Sequence, residues 1–140
     1  MTKPDRVHLV LPQEPHSELL AAQAVDRVGL PLGFSRDTLS EVKLAVVEAC
    51  LNALEYGTGV VEVELVGHPG SPARLEVSVV DYGPGFVPGE VPAPRLAEKL
   101  RAGRKRGWGL ALIRRLMDEV EIESRPGNTR VRMVRQAGGN

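Results

Sequence analysis

Cysteine occurs once, at Cys50, in this chain of 140 residues. A lone thiol excludes an intramolecular disulfide and argues against a zinc site, and the chain reads as an intracellular protein. Aromatic residues make up 4%, so Leu, Val and Ala must fill the core. No apolar run approaches the roughly 20 residues of a membrane span. The N-terminus, "MTKPDRVHLVLPQEP", has no apolar run of signal-peptide length. Neither sign of charge is in excess, because Lys+Arg and Asp+Glu each number 18. That balance gives no global attraction to nucleic acid or to an acidic membrane surface. What is present, 42% hydrophobic and 26% charged residues, suits one globular domain over 1–140 with a real core.

Periodicity places the elements. "RVHLVL" (Arg6 to Leu11) alternates as an edge strand ended by Pro12 and Pro15. "HSELLAAQAVDRVGL" has apolar residues at helical spacing, with Gly29 near its stop, and "PLGFS" follows as a loop. Ser35 or Thr38 can cap the next helix, where Thr38 to Glu41 fits a capping box. That helix runs to about Tyr56, with Gly57 as a left-handed stop. "GVVEVELVG" and "ARLEVSVVD" alternate as two strands around "HPGSP". From Tyr82 to Gly107 the chain is dense in proline and glycine and reads as a long loop with one short helix, Arg95 to Arg101. Loops of that length inside a compact domain are usually functional. "GWGLALIRRLMDEV" is a helix opened by glycines, and "EVEIES" and "TRVRMVR" are strands around "RPGN". The order β-α-α-β-β-loop-α-β-β predicts an α/β two-layer sandwich, a mixed and mostly antiparallel sheet with about three helices on one face.

Three stretches carry chemistry. Along the helix that contains "VVEACLNALEYG", at about 100° per residue, Glu41, Glu48, Asn52 and Glu55 form one narrow polar seam on an otherwise apolar surface. Buried carboxylates and amides are costly without partners, so the seam faces either water or a ligand. "DYGPGF" (Asp81 to Phe86) is either an ordinary turn or a carboxylate beside glycines that let backbone approach a flat ligand. "RGWGLALIRR" is either glycine punctuation or a helix start whose N–H groups cradle phosphate. Lys99, Arg101, Arg104, Lys105 and Arg106 lead into it. His8, His16 and His68 read as surface residues, Cys50 and Met117 as packing, and Arg125, Arg130, Arg132 and Arg135 as a solvated sheet face.

Taken together and in this order, the stretches resemble the GHKL ATPase domain, the Bergerat fold of histidine kinases and gyrase. The chain is most similar to the small anti-sigma-factor serine/threonine kinases of bacteria. "EACLNALEYG" resembles their N box, "DYGPGF" their first glycine box and "RGWGLALIRRLMDEVEI" their second. "GNTRVRMV" resembles the closing strand. The resemblance implies ATP/ADP and Mg²⁺ as cofactors, with Asn52 the Mg²⁺ ligand and Glu48 the general base. It implies that Asp81 binds the adenine amino group in a pocket shaped by Gly83 and Gly85 and closed by Thr129. Arg106, Gly107, Gly109 and Leu110 would hold phosphates, and residues 87–105 would form an ATP lid. Tyr56, where relatives often have His, and Trp108, where they often have a smaller residue, depart from the pattern. Glu55 takes no role from it.

The function so implied is a cytoplasmic bacterial protein kinase that phosphorylates a serine on an anti-sigma-factor antagonist and binds a sigma factor. It would act as a homodimer, without direct contact to nucleic acid or membrane. Two alternatives stay open at this point: a non-catalytic ATP/ADP-dependent partner-binding module, and a detached catalytic domain of a histidine kinase.

Overall fold

The computed structural model describes residues 5–57, 59–83 and 106–138. Strand β1 (Arg6–Leu11) leads into helix α1 (Glu18–Gly29), where Ala21, Ala24, Val25 and Val28 give the buried face. A single 3₁₀ turn, Leu30–Leu32, occupies part of the expected loop. Gly33 follows at φ 89°, a left-handed conformation that glycine adopts without steric cost. The chain thereby turns into α2 (Arg36–Tyr56).

Ser35 is the cap of α2: its Oγ accepts a hydrogen bond from Thr38 N–H at 3.1 Å. Thr38, the other candidate, already lies inside the helix. Leu39, Val42, Ala45, Val46, Ala49, Cys50 and Ala53 are all buried along α2, an unusually wide apolar face built mostly from small residues. Each fully buried Val or Leu contributes about 1.5–3 kcal/mol relative to exposure. Burial, with a smaller effect from Glu18, pushes the Cys50 thiol up to about 12, so it is an inert core group.

Strands β2 (Val61–His68) and β3 (Arg74–Asp81) form the central hairpin. Helix α3 (Arg106–Leu116) is followed by β4 (Glu119–Arg125) and β5 (Asn128–Gln136). The sheet order is β1-β2-β3-β5-β4. All four pairings are antiparallel, so the expected mixed sheet carries no parallel pair among the described residues. Val61, Val63 and Leu65, with Leu75, Val77 and Val79, join the helices in one core. The result is the two-layer α/β sandwich that the element order predicts. Among the described residues, no helix is long and apolar enough to cross a membrane.

The arginines of β5 are more engaged than a solvated face requires. Arg130 donates to Ser78 Oγ at 3.3 Å, and Arg132 pairs with Glu76 and, at 2.9 Å, with Glu121. Arg135 turns to the helix side. Its guanidinium donates to the Leu116 carbonyl at the end of α3 at 2.6 Å and meets Glu41 of α2 at 2.8 Å. Glu41 is thus an anchor for Arg135.

Candidate functional site

Helical spacing puts Glu48 and Asn52 one turn apart on α2, and both are buried. Asn52 is 6% exposed. Among the described residues, neither its Oδ1 nor its Nδ2 has a hydrogen-bond partner. A buried amide left unsatisfied costs about 1–3 kcal/mol, and such groups are rare enough in native proteins to demand an explanation. The polar seam therefore does not face water along its length. It divides: Glu41 meets Arg135, Glu48 and Asn52 turn inward, and Glu55 borders a separate groove with Glu14, His16 and Leu51.

The sheet supplies the opposite wall. Asp81 ends β3, is buried, and pairs with Thr129 at the start of β5. The Gly83 N–H donates to Asp81 Oδ1 at 3.0 Å. The Gly127 N–H, in the β4–β5 turn, donates to the Gly83 carbonyl at 3.1 Å. Thr129 Oγ1 shares a 2.7 Å hydrogen bond with Ser124 Oγ. Strand alternation thus aims Val79 and Asp81, with Thr129 and Val131, at the same side. Helix α3 closes the space through Leu110 and Ile113. Among the described residues, this cleft is lined by Ala49, Asn52, Ala53, Val79, Asp81, Leu110, Ile113, Thr129 and Val131.

Gly109 explains how α3 comes so close. A Cβ built there would collide with Asn52 Nδ2 and would lie 2.6 Å from Glu48 Oε2. The helix start therefore rests directly on the buried amide and carboxylate. Arg106 and Gly107 belong to the first turn of α3. Gly85, the lid at 87–105 and the short helix Arg95 to Arg101 lie outside the described residues. Of the candidate residues, Asn52, Asp81, Leu110 and Thr129 line one cleft; Gly109 rests against Asn52 and Glu48, and Gly83 is held to Asp81.

The chemistry of the cleft fits a magnesium nucleotide. Apolar walls suit a flat base, a carboxylate held from behind suits an amino-group donor, and the N–H groups of a helix start suit phosphate. Among the described residues, no three His, Cys, Asp or Glu side chains converge as a metal site. An ion beside Asn52 would then take its other ligands from phosphate oxygens and water, as Mg²⁺ commonly does.

Residues 11–135 match the histidine kinase-like ATPase domain. The chain belongs to that family. Among its relatives, the serine-protein kinase RsbW of Bacillus velezensis is 30% identical, with 99% of this chain and 89% of that protein covered. The serine-protein kinase RsbW of Bacillus subtilis is 28% identical over 96% of this chain and 88% of its own. Among solved structures, the RsbU and RsbW domains of a Mycobacterium tuberculosis protein superpose with a TM-score of 0.69 at 18% identity. They cover 96% of this chain and 33% of that one. The histidine kinase domain of a blue-light activated kinase from Erythrobacter litoralis gives 0.51 at 18% identity, covering 98% of this chain and 65% of that one. Histidine kinase-like ATPase domains take ATP or ADP, the nucleotide that the cleft's chemistry suits.

Some site residues escape a motif reading. Ala49, Ala53, Val79, Ile113 and Val131 form the apolar walls. Their signal was present as spacing: 49 and 53 flank 48 and 52 on the helix, and 79 and 131 lie two positions from Asp81 and Thr129. Gly127 gave no such signal, because only the folded hairpin brings it to Gly83.

Proposed function

We propose that this chain is an ATP-dependent serine/threonine protein kinase that phosphorylates a serine on a small anti-sigma-factor antagonist and, in alternation, holds a sigma factor. The observation that carries the reading is the buried, unpartnered amide of Asn52 one turn from Glu48, in a cleft with an adenine-type carboxylate. The near full-length likeness to serine-protein kinases supports the acceptor and partner classes. We place the protein in the bacterial cytoplasm, as a single domain over 1–140 acting as a homodimer.

In this reading Asp81 accepts the adenine amino group while Thr129 closes the base pocket beside it. Gly83 and Gly85 leave room for the ring. Asn52 Oδ1 is the protein ligand for Mg²⁺, which when bound neutralises phosphate charge and aligns the γ-phosphoryl group. The first turn of α3, with Arg106, Gly107, Gly109 and Leu110, presents N–H groups and positive potential to the phosphates. Residues 87–105 close over them as a lid. Glu48 takes the proton from the acceptor serine as its oxygen bonds to the γ-phosphorus and the bond to ADP breaks.

Incubation with γ-labelled ATP, Mg²⁺ and candidate antagonist proteins tests this. The expected result is one phosphoserine on an antagonist, reduced by about 10²–10⁴-fold in Glu48→Gln, with ADP affinity retained. Bound ATP with no phosphoserine on any antagonist, and partner regulation unchanged in Glu48→Ala, would instead make the chain a nucleotide-dependent binding module.

A further inference from the structure

The last turn of α2 ends against Asp81. Gly57 has φ −86° and ψ 171°, extended backbone that any residue adopts, so it is not the left-handed stop expected from sequence. Conformation does not call for glycine there; space does. A Cβ at position 57 would lie 2.7 Å from Asp81 Cβ, 3.3 Å from Asp81 Cγ and 2.6 Å from the Ala53 carbonyl oxygen. None of these can move cheaply. Asp81 is the last residue of β3, paired with Thr129 of β5, and the Ala53 carbonyl accepts the Gly57 N–H at 2.8 Å. From the other direction the Gly83 N–H holds Asp81 Oδ1, and Gly83 is itself tied to Gly127.

We propose that Gly57 is a positioning residue for Asp81: by carrying no side chain it sets the depth of the carboxylate, and so the selectivity of the cleft for a purine with an exocyclic amino group. The proposal rests on the adenine role given to Asp81 above. Inosine diphosphate, which carries oxygen in place of that amino group, is the discriminating probe. In calorimetric titration, Gly57→Ala should weaken ADP about tenfold or more, the loss of one hydrogen bond to a charged group, and leave IDP within about threefold. The preference for ADP over IDP then collapses, whereas simple loosening of the fold would weaken both alike.

Asp81→Ala separates the two layers of the account. If it erases the preference and Gly57→Ala retains both preference and affinity, positioning is overturned and the adenine role stands. If the preference survives Asp81→Ala, the adenine role falls and the proposal falls with it. Should Gly57→Ala fold poorly, urea unfolding of Gly57→Ala and of Gly57→Ala/Asp81→Gly decides. Removing the Asp81 side chain should recover a large part of the lost stability, and equal loss in both backgrounds overturns the contact as the cause.

Discussion

At Asn52 the ligand-free chain carries a buried amide with no hydrogen-bond partner among the described residues. An amide buried with neither atom bonded is a liability of about 1–3 kcal/mol, and active sites are where proteins carry such liabilities. Asn52→Ala should therefore leave the ligand-free chain at least as stable as the native one. The same substitution should cut by about half or more the thermal stabilisation given by Mg·ADP, which for the native chain at about 100 times Kd amounts to about 2.7 kcal/mol. Melting curves with and without the nucleotide check both halves. A lowered ligand-free Tm would mean that the amide has a structural partner. The position of Asn52 on the same face of α2 as Glu48 was legible from their spacing, but its burial was not. A helical wheel groups Glu41, Glu48, Asn52 and Glu55 into one arc. What separates them is the tertiary neighbour each meets: Arg135 for Glu41, Gly109 of α3 for Glu48 and Asn52, and the start of α1 for Glu55.

Among the elements, α2 and α3 decide the site. The start of α2 depends on Ser35, and Ser35→Ala should cost about 1 kcal/mol in urea unfolding without altering nucleotide affinity, because the cap lies far along the helix from Asn52. Arg135 acts differently. It joins the last turn of α3 to Glu41 through its bond to the Leu116 carbonyl, and Gln136 N–H donates to Asp118 just beyond that helix. Arg135→Met should cost about 1–3 kcal/mol through the lost charged hydrogen bonds, and should also weaken ADP by loosening the helix that rests on Asn52. Equal nucleotide affinity in Arg135→Met would show that α3 is held by its apolar face alone. Sequence periodicity gave these elements closely, since β-branched alternation and small-residue helices are local properties. Arg135 was misassigned to the solvated face because it was grouped by residue type with Arg130 and Arg132, although it lies three positions beyond Arg132 and so, by two-residue alternation, on the side of Thr129, Val131 and Met133. Gly57 was misread for a related reason: a glycine after a helix most often marks a left-handed cap, and only the position of Asp81 reveals a contact instead.

For the whole molecule, the open face of the sheet sets the response to acid. Burial disfavours the charged form of Glu76, but hydrogen bonds from His68 and Arg132 outweigh it and hold the carboxyl below its ordinary range. A depressed carboxylate contributes stability that is present above its unfolded pKa and is lost as pH falls through the folded one. Unfolding free energy should thus decline below about pH 4.5, and Glu76→Gln should be less stable at pH 7 by about 1 kcal/mol and show a shallower acid limb. Urea titrations across that range test it; parallel curves would assign the acid loss elsewhere. The architecture itself, five strands under three helices among the described residues, was legible because each motif sits at an element boundary. The insertion of β5 between β3 and β4 was not, since strand order depends on pairings distant in sequence. Yet that insertion puts Thr129 beside Asp81 and completes the cleft. The central claim is that this cleft binds a magnesium adenine nucleotide through Asn52 and Asp81. Its most direct test is calorimetric titration of the chain with ADP, in Mg²⁺ and after chelation, beside Asn52→Ala and Asp81→Asn. The account predicts one ADP per chain, with affinity that drops about tenfold or more in each variant and a Mg²⁺ dependence that vanishes in Asn52→Ala. No binding by the native chain, or affinities and Mg²⁺ dependence unchanged in both variants, would contradict it.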